Sequence, residues 1–211
     1  FDGMFARLET SFLSKKQFTA DASHELRTPV AVILAECDRA RRKAETKEDF
    51  LASINVIEQQ GNKMNTLIEQ LLSLTRIQQG TEKYPLRVCD LSGFVDACCD
   101  EFVPADERGM TLETDIEPGV AAAYNPSLLS RAMFNLMQNA YKYGCEGGKI
   151  HVSLCRENGC AVISVKDDGP GIPKAEQEKI WQRFYRCDTS RAEGGTGLGL
   201  SLVREIALAH H

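Results

Sequence analysis

The sequence predicts an α+β multidomain protein: an N-terminal helical hairpin that pairs into a dimeric four-helix bundle, followed by a C-terminal α/β sandwich. Three observations carry this. The first 80 residues hold few helix breakers, only Gly3, Pro29, Gly61 and Gly80, and repeat apolar residues at steps of three and four. From Tyr84 onward, β-branched runs alternate with helical patterns and glycines become frequent. The composition, 43% hydrophobic and 26% charged over 211 residues, is that of a globular chain and excludes a disordered or collagen-like one.

In the first helix Leu26, Val30, Ile33, Cys37 and Ala40 alternate at four and three, preceded by Phe5, Leu8 and Phe12 in the same phase. A charged stretch from Arg41 to Asp49 interrupts the stripe. Ile54, Ile57, Met64, Ile68 and Leu71 resume it in a second helix, where Leu51, Leu67, Leu72 and Leu74 broaden it. One hairpin cannot cover so wide an apolar face, so two are expected to pair as a symmetric homodimer; the competing arrangement packs the hairpin onto its own C-terminal half. Residues 81–85 read as a linker. Beyond it the candidate strands are Leu86–Asp90, Met110–Ile116, Val120–Tyr124, Lys149–Arg156 and Cys160–Asp167, the last two flanking the hairpin signal Asn158-Gly159. Candidate helices run over Leu91–Val103, Pro126–Tyr143 and from Leu200 to the end.

The 25 Lys plus Arg against 30 Asp plus Glu give a formal charge of −5, which excludes a nucleic-acid binder driven by bulk charge. No apolar run is long enough to span a bilayer, and the start lacks a signal-peptide pattern. The eight cysteines form no CxxC pair and no metal-ligand spacing with the histidines. They are expected to be reduced and mostly buried, with the cytosol as the compartment.

Four segments carry chemistry. In Ser23-His24-Glu25-Leu26-Arg27-Thr28-Pro29 the histidine falls between the apolar-phase residues Ala22 and Leu26, so its imidazole projects from the flank of the bundle. A neutral imidazole is a good nucleophile, and Glu25 can take the proton from one ring nitrogen while the other attacks. Pro29 removes a backbone donor and is expected to bend the helix beside the histidine. In Asn135-Leu136-Met137-Gln138-Asn139-Ala140-Tyr141-Lys142-Tyr143, helical spacing puts Asn135, Asn139 and Lys142 on one face. An amide oxygen is a hard ligand suited to Mg²⁺, and a lysine one turn on can meet phosphate oxygens. Asp167-Asp168-Gly169-Pro170-Gly171-Ile172-Pro173 follows a strand; its carboxylate can accept from an exocyclic amine such as adenine N6, and its glycines permit close approach of a flat ligand. Gly194-Gly195-Thr196-Gly197-Leu198-Gly199-Leu200 opens the last helix, where free amides and the helix dipole favour an anion. It is neither a P-loop nor a Rossmann fingerprint, because no Lys-Ser/Thr pair follows it and no strand precedes it. The polar stretch Cys187–Glu193, behind Phe184-Tyr185-Arg186, reads as a lid with aromatic anchors.

Together these segments resemble the sensor histidine kinases of two-component signalling, over essentially the whole chain. His24 with Glu25 and Thr28 matches the phosphoacceptor motif, Asn135–Tyr143 the N box, Asp167–Gly171 the first glycine box, Trp181–Arg186 the F box and Gly195–Gly199 the second glycine box. Asp168 stands where relatives often carry Asn, a change expected to leave adenine recognition by Asp167 intact.

The resemblance implies a phosphoacceptor hairpin at 18–80, an ATP-binding domain of the Bergerat or GHKL type at 86–211, and the end of a HAMP domain or signalling helix at 1–17. The family continues past the last helix with further strands, so the catalytic domain is expected to be truncated. The implied activity is ATP-dependent autophosphorylation of His24, then transfer to an aspartate of a response regulator receiver domain, with Thr28 orienting a water for a phosphatase reaction. ATP and Mg²⁺ are the implied cofactors. Asn139 would hold the metal; Asn135, Lys142, Tyr143, Arg186 and the run Gly195, Thr196, Gly197, Leu198, Gly199, Leu200 would meet the phosphates; and Asp167, Gly169, Gly171, Ile172, Phe184 and Tyr185 would line the rest of the pocket. The implied setting is the cytoplasmic part of a bacterial inner-membrane sensor, with transmembrane segments outside this chain and no nucleic-acid partner. A GHKL ATPase would carry a general-base Glu where Asn135 stands, so free hydrolysis is expected to be slow. An interaction-only pseudokinase and a protein serine kinase on the same nucleotide fold are the other readings.

Overall fold

The computed structural model describes residues 2–79, 85–102, 108–187 and 195–210, with the backbone alone for 2–15 and 79. Residues 81–84 of the expected linker at 81–85, Val103 at the expected end of a helix, most of the expected lid (188–193), Gly194 and His211 lie outside the described residues. Helix α1 spans Asp2–Lys43 and continues through Pro29; α2 spans Lys47–Gln79. Pro29 is buried, and the Thr28 hydroxyl donates to the His24 carbonyl, 3.4 Å away, in the turn before it.

Reciprocal capping fixes the turn between the two helices. The Asp49 carboxylate accepts from the Thr46 amide (3.1 Å) and hydroxyl (2.8 Å), while Thr46 Oγ1 accepts from the Asp49 amide (3.1 Å). These bonds hold the Asp49 carboxyl below its ordinary pKa. Arg39 crosses the hairpin to the buried Ser53 hydroxyl at 3.0 Å.

The C-terminal half follows as β1 (Arg87–Asp90), α3 (Leu91–Glu101), β2 (Thr111–Ile116), β3 (Ala121–Tyr124), α4 (Pro126–Tyr143), β4 (Lys149–Glu157), β5 (Cys160–Asp167), a 3-10 turn at Lys179–Trp181 and α5 (Gly199–Ala209). β1 pairs antiparallel with β3; a second sheet runs β2-β4-β5, parallel between β2 and β4 and antiparallel between β4 and β5. At the β4–β5 turn Asn158 and Gly159 both have positive φ, 51° and 82°, the pairing that a two-residue hairpin needs. The parallel β2–β4 pair arises because β3 and α4 form the crossover between them.

Alternation places Ile150, Val152 and Leu154 of central β4 under the helices, each at most 1% exposed. They pack with Val95 and Cys99 of α3 and with Met133, Met137 and Ala140 of α4. A second core joins the two halves. Leu67 and Leu74 of α2 pack with Leu128 and Ala132 of α4 and with Leu198, Leu202 and Ile206 at α5. The hairpin thus covers part of its apolar face with its own C-terminal half, as the competing arrangement had it. Val30, Leu34, Leu51, Ile54, Ile68 and Leu72 stay exposed on the other side.

The cysteines need correction. All eight are free, but only Cys98 and Cys99 are buried; Cys37, Cys145 and Cys160 are exposed and the other three half-buried. The apolar positions of this fold are filled mainly by Leu, Val, Ile and Met, which leaves most thiols at helix flanks, loops and strand ends. Burial pushes the Cys99 thiol up to about 11, so it stays protonated.

Ile150→Ala is expected to lower stability by about 2–5 kcal/mol, because the rigid central strand cannot collapse into the cavity. Urea unfolding of the two proteins, compared at equal m-value, checks this.

Candidate functional site

The site is built on α4. Asn125 caps its start, with Oδ1 accepting from the Leu128 amide at 3.1 Å, and Pro126 occupies the first turn. Met133, Met137 and Ala140 are committed to the sheet side, which leaves the half-buried Asn135, Asn139 and Lys142 on another face, as the spacing predicts. Leu136 is half-buried.

The second glycine segment meets this face. A Cβ on Gly199 would lie 2.9 Å from Asn135 Oδ1 and 3.9 Å from Asn139 Nδ2, so the first turn of α5 abuts both amides. A Cβ on Gly195 would lie 2.8 Å from Lys142 Nζ, and that ammonium donates to the Tyr143 hydroxyl at 2.9 Å. Residue 198 makes no side-chain cap on α5. Leu198 is fully buried and anchors the segment, whereas Leu200 is half-buried.

The first glycine segment closes the C-terminal end of α4. A Cβ on Gly169 would lie 2.3 Å from the Tyr143 carbonyl oxygen, and the Gly169 amide donates to Asp167 Oδ1 at 2.9 Å. Asp168 turns the other way. Its carboxylate accepts from the amides of Cys145 (3.1 Å) and Lys149 (3.0 Å), and the Cys145 thiol donates to the Asp168 carbonyl (3.1 Å). Those backbone bonds hold the Asp168 carboxyl below its ordinary pKa. Asp168 is thus a staple across the α4–β4 turn, and Asp167 faces the Gly169 side alone. Gly171, at φ 71°, and Ile172 are exposed beyond it.

The aromatic segment lies against the second glycine segment. Phe184 has φ 59°, and a Cβ on Gly197 would come within 2.7 Å of its main chain, so Gly197, itself at φ 67°, must remain glycine. Tyr185 and Arg186 are half-buried beside it.

His24 is exposed on α1, with Glu25 half-buried and Thr28 exposed. The hairpin touches the site's rim on either side of it. The Phe18 ring lies 5.9 Å from Phe184 and 5.0 Å below the Arg183 guanidinium, and Leu26 packs on the core that contains Leu198. From α2, Gln70 accepts from the Thr196 hydroxyl at 2.7 Å, Gln78 donates to Glu205 at 3.1 Å, and Ser73 meets Arg131. Sequence reasoning missed these polar partners and Arg108, whose guanidinium bonds the carbonyls of Tyr141, Lys142 and Gly144. Each is a long-range side-chain contact with no local motif. An arginine just before Gly109 and a strand was the one available hint.

A helical hairpin with an exposed histidine, joined to an α/β unit whose glycine segments converge on an asparagine-bearing helix, is the arrangement that the resemblance implies for a phosphoacceptor and nucleotide-binding pair. Comparison with known proteins agrees. Residues 14–80 match the His Kinase A (phospho-acceptor) domain, and residues 124–211 match the histidine kinase-, DNA gyrase B- and HSP90-like ATPase family. The sensor histidine kinase RppB of Synechocystis is 37% identical over 205 residues, 95% of this chain and 45% of that protein. The fold resembles the Acinetobacter baumannii histidine kinase AdeS at a TM-score of 0.70 and 21% identity, covering 88% of this chain and 86% of that one. It also resembles the histidine kinase ThkA, solved in complex with the response regulator protein TrrA, at a TM-score of 0.68 and 23% identity, covering 85% and 53%. The chain belongs to the sensor histidine kinases of two-component systems. It spans about half the length of the curated relatives it matches. No helix among the described residues is long and apolar enough to cross a membrane.

Because its native pKa is depressed, Asp168 contributes stability that is fully present above the ordinary carboxyl value of 3.8 and lost as pH falls through the native value. The stability gap between the wild type and Asp168→Ala is therefore expected at neutral pH and to close in acid below about pH 4. Denaturant midpoints of both proteins across that range test it.

Proposed function

We propose that this chain is the kinase core of a two-component sensor: it phosphorylates itself on His24 from ATP and passes the phosphoryl group to an aspartate of a response regulator receiver domain. The observation that carries the reading is the convergence of Asn135, Asn139 and Lys142 with Gly195 and Gly199 on one side of α4, in a chain that also exposes His24.

Asp167 accepts from the adenine amine, and the glycine at 169 lets the purine approach the turn. Lys142, Tyr143, Asn135, Arg186 and the amides of residues 195–200 meet the phosphates, with the N-terminus of α5 favouring their charge. Phe184, Tyr185, Gly171 and Ile172 close the pocket's sides. The residues fit Mg²⁺: Asn139 supplies a hard amide oxygen next to the glycine segment, and a magnesium ion there would neutralise phosphate charge during transfer. At His24 one ring nitrogen attacks the γ-phosphorus, the bond to the ADP oxygen breaks, and Glu25 takes the proton from the other nitrogen. Transfer of this kind rests mainly on positioning, so residues 86–211 must move relative to residues 18–80.

The exposed row of Val30, Leu34, Leu51, Ile54, Ile68 and Leu72 supports a homodimer through a four-helix bundle, since these side chains occupy helix faces that α5 does not reach. Thr28, one turn from His24, orients water for dephosphorylation of the regulator. Residues 1–17 read as the end of a HAMP or signalling helix, which sets this core on the cytoplasmic side of a bacterial membrane sensor.

Incubation of the full-length protein with γ-labelled ATP and Mg²⁺ is expected to give acid-labile, alkali-stable label that His24→Gln abolishes. Acid-stable label that survives His24→Gln overturns the proposal. Thr28→Ala is expected to slow decay of the phosphorylated regulator while self-labelling persists; unchanged decay removes the phosphatase role.

A further inference from the structure

The side chain of Arg108 closes the C-terminal end of the helix that carries the nucleotide residues. Its Nη1 donates to the Lys142 carbonyl at 2.7 Å and to that of Tyr141, and its Nη2 donates to the Gly144 carbonyl at 2.7 Å. Its guanidinium carbon lies 5.7 Å from the centre of the Tyr141 ring, and its own carbonyl accepts from the Gly147 amide at 2.8 Å. The last carbonyls of a helix lack internal donors and carry the negative end of its dipole, so a forked cation there satisfies several acceptors at once.

The same helix end is also held by the turn after β5. Gly169 is pressed against the Tyr143 carbonyl, and Asp168 accepts from the amides of Cys145 and Lys149 on either side of the turn. We infer that Arg108 is a positioning residue of the nucleotide site: with the Asp168 staple it fixes the 144–148 turn, and through it the placement of Lys142 and Tyr143 relative to Asp167. Without Arg108 three carbonyls lose a donor together, which loosens the last turn of α4 against the Asp167–Gly169 turn. Lysine cannot replace it fully, since one ammonium carries the charge but lacks the planar fork.

The inference rests on the ATP-binding reading above, so its test has an arm that needs no nucleotide. In amide NMR of the chain without ATP, Arg108→Ala is expected to shift or broaden the signals of Tyr143 and Gly169 and to leave Val152 of central β4 in place. In titrations with ATP and Mg²⁺, Arg108→Ala is expected to weaken binding about tenfold, at the low end of what loss of an outer-layer partner costs. The self-labelling rate at saturating ATP is expected to fall by less than the affinity does, and Arg108→Lys should recover part of the affinity. Wild-type affinity in Arg108→Ala, or weakened binding with the Tyr143 and Gly169 signals unmoved, overturns the inference. If Arg108→Ala does not fold, Arg108→Lys is read by the same two criteria. A wild-type chain that binds no ATP defeats the functional reading, whereas the nucleotide-free spectra still decide whether Arg108 fixes the turn.

Discussion

Gly169 can lie against the Tyr143 carbonyl only because it has no Cβ, since one placed there would come within 2.3 Å of that oxygen. This contact joins the end of β5 to the end of α4, and much of the candidate site follows from it. It brings Asp167 to the helix turn that holds Lys142 and Tyr143, and it sets Asp168 where its carboxylate can bridge the amides of Cys145 and Lys149. A side chain at position 169 would have to separate the strand end from the helix end. The Asp167 carboxylate would then no longer stand at a fixed distance from Lys142.

The other end of the face is governed by the same constraint. Gly199 and Gly195 let the start of α5 approach Asn135, Asn139 and Lys142, and Gly197 lets the segment pass the Phe184 main chain. Leu198 then points the opposite way, into the core between α2 and α5. Alternation of glycine and bulky residues therefore does two things at once: it lets the backbone approach α4 closely and locks the segment by burial. Asp168 shows the complementary case. Its charged group is used for the fold, accepting from the amides of Cys145 and Lys149, and Asp167 is not drawn into that turn.

Local chemistry makes most of this legible in the sequence. Helix α4 begins and ends where Asn125-Pro126 and Tyr143-Gly144 signal, and the Asn158-Gly159 turn sets the β4–β5 register. Helical spacing alone is enough to put Asn135, Asn139 and Lys142 on one face. The rest depends on distant partners. The parallel pairing of β2 with β4 leaves no local trace, because the crossover through β3 and α4 can be satisfied by several strand orders. Arg108, Gln70 and Arg131 act through side chains that reach across 33 to 126 positions of chain. The thiols mislead because small half-polar residues pack wherever space remains, so composition says little about their depth.

Among the described residues the hairpin has two apolar faces, one packed against the C-terminal half and the other exposed. On α2, Leu67, Leu71, Leu74 and Ile77 belong to or pack against the core shared with α4 and α5, whereas Leu51, Ile54, Ile68 and Leu72, in one heptad phase, stay exposed. A helix pair with both faces apolar can carry a bundle partner on one side and a docked α/β unit on the other without exchanging one for the other. The docked side is also chemically connected to the site, because the Gln70 amide holds the Thr196 hydroxyl and the same helix buries Leu198. A rotation of α2 that carried Gln70 away would break that bond and uncover Leu198 together. The orientation of the hairpin and the shape of the second glycine segment are thus not independent variables in this fold.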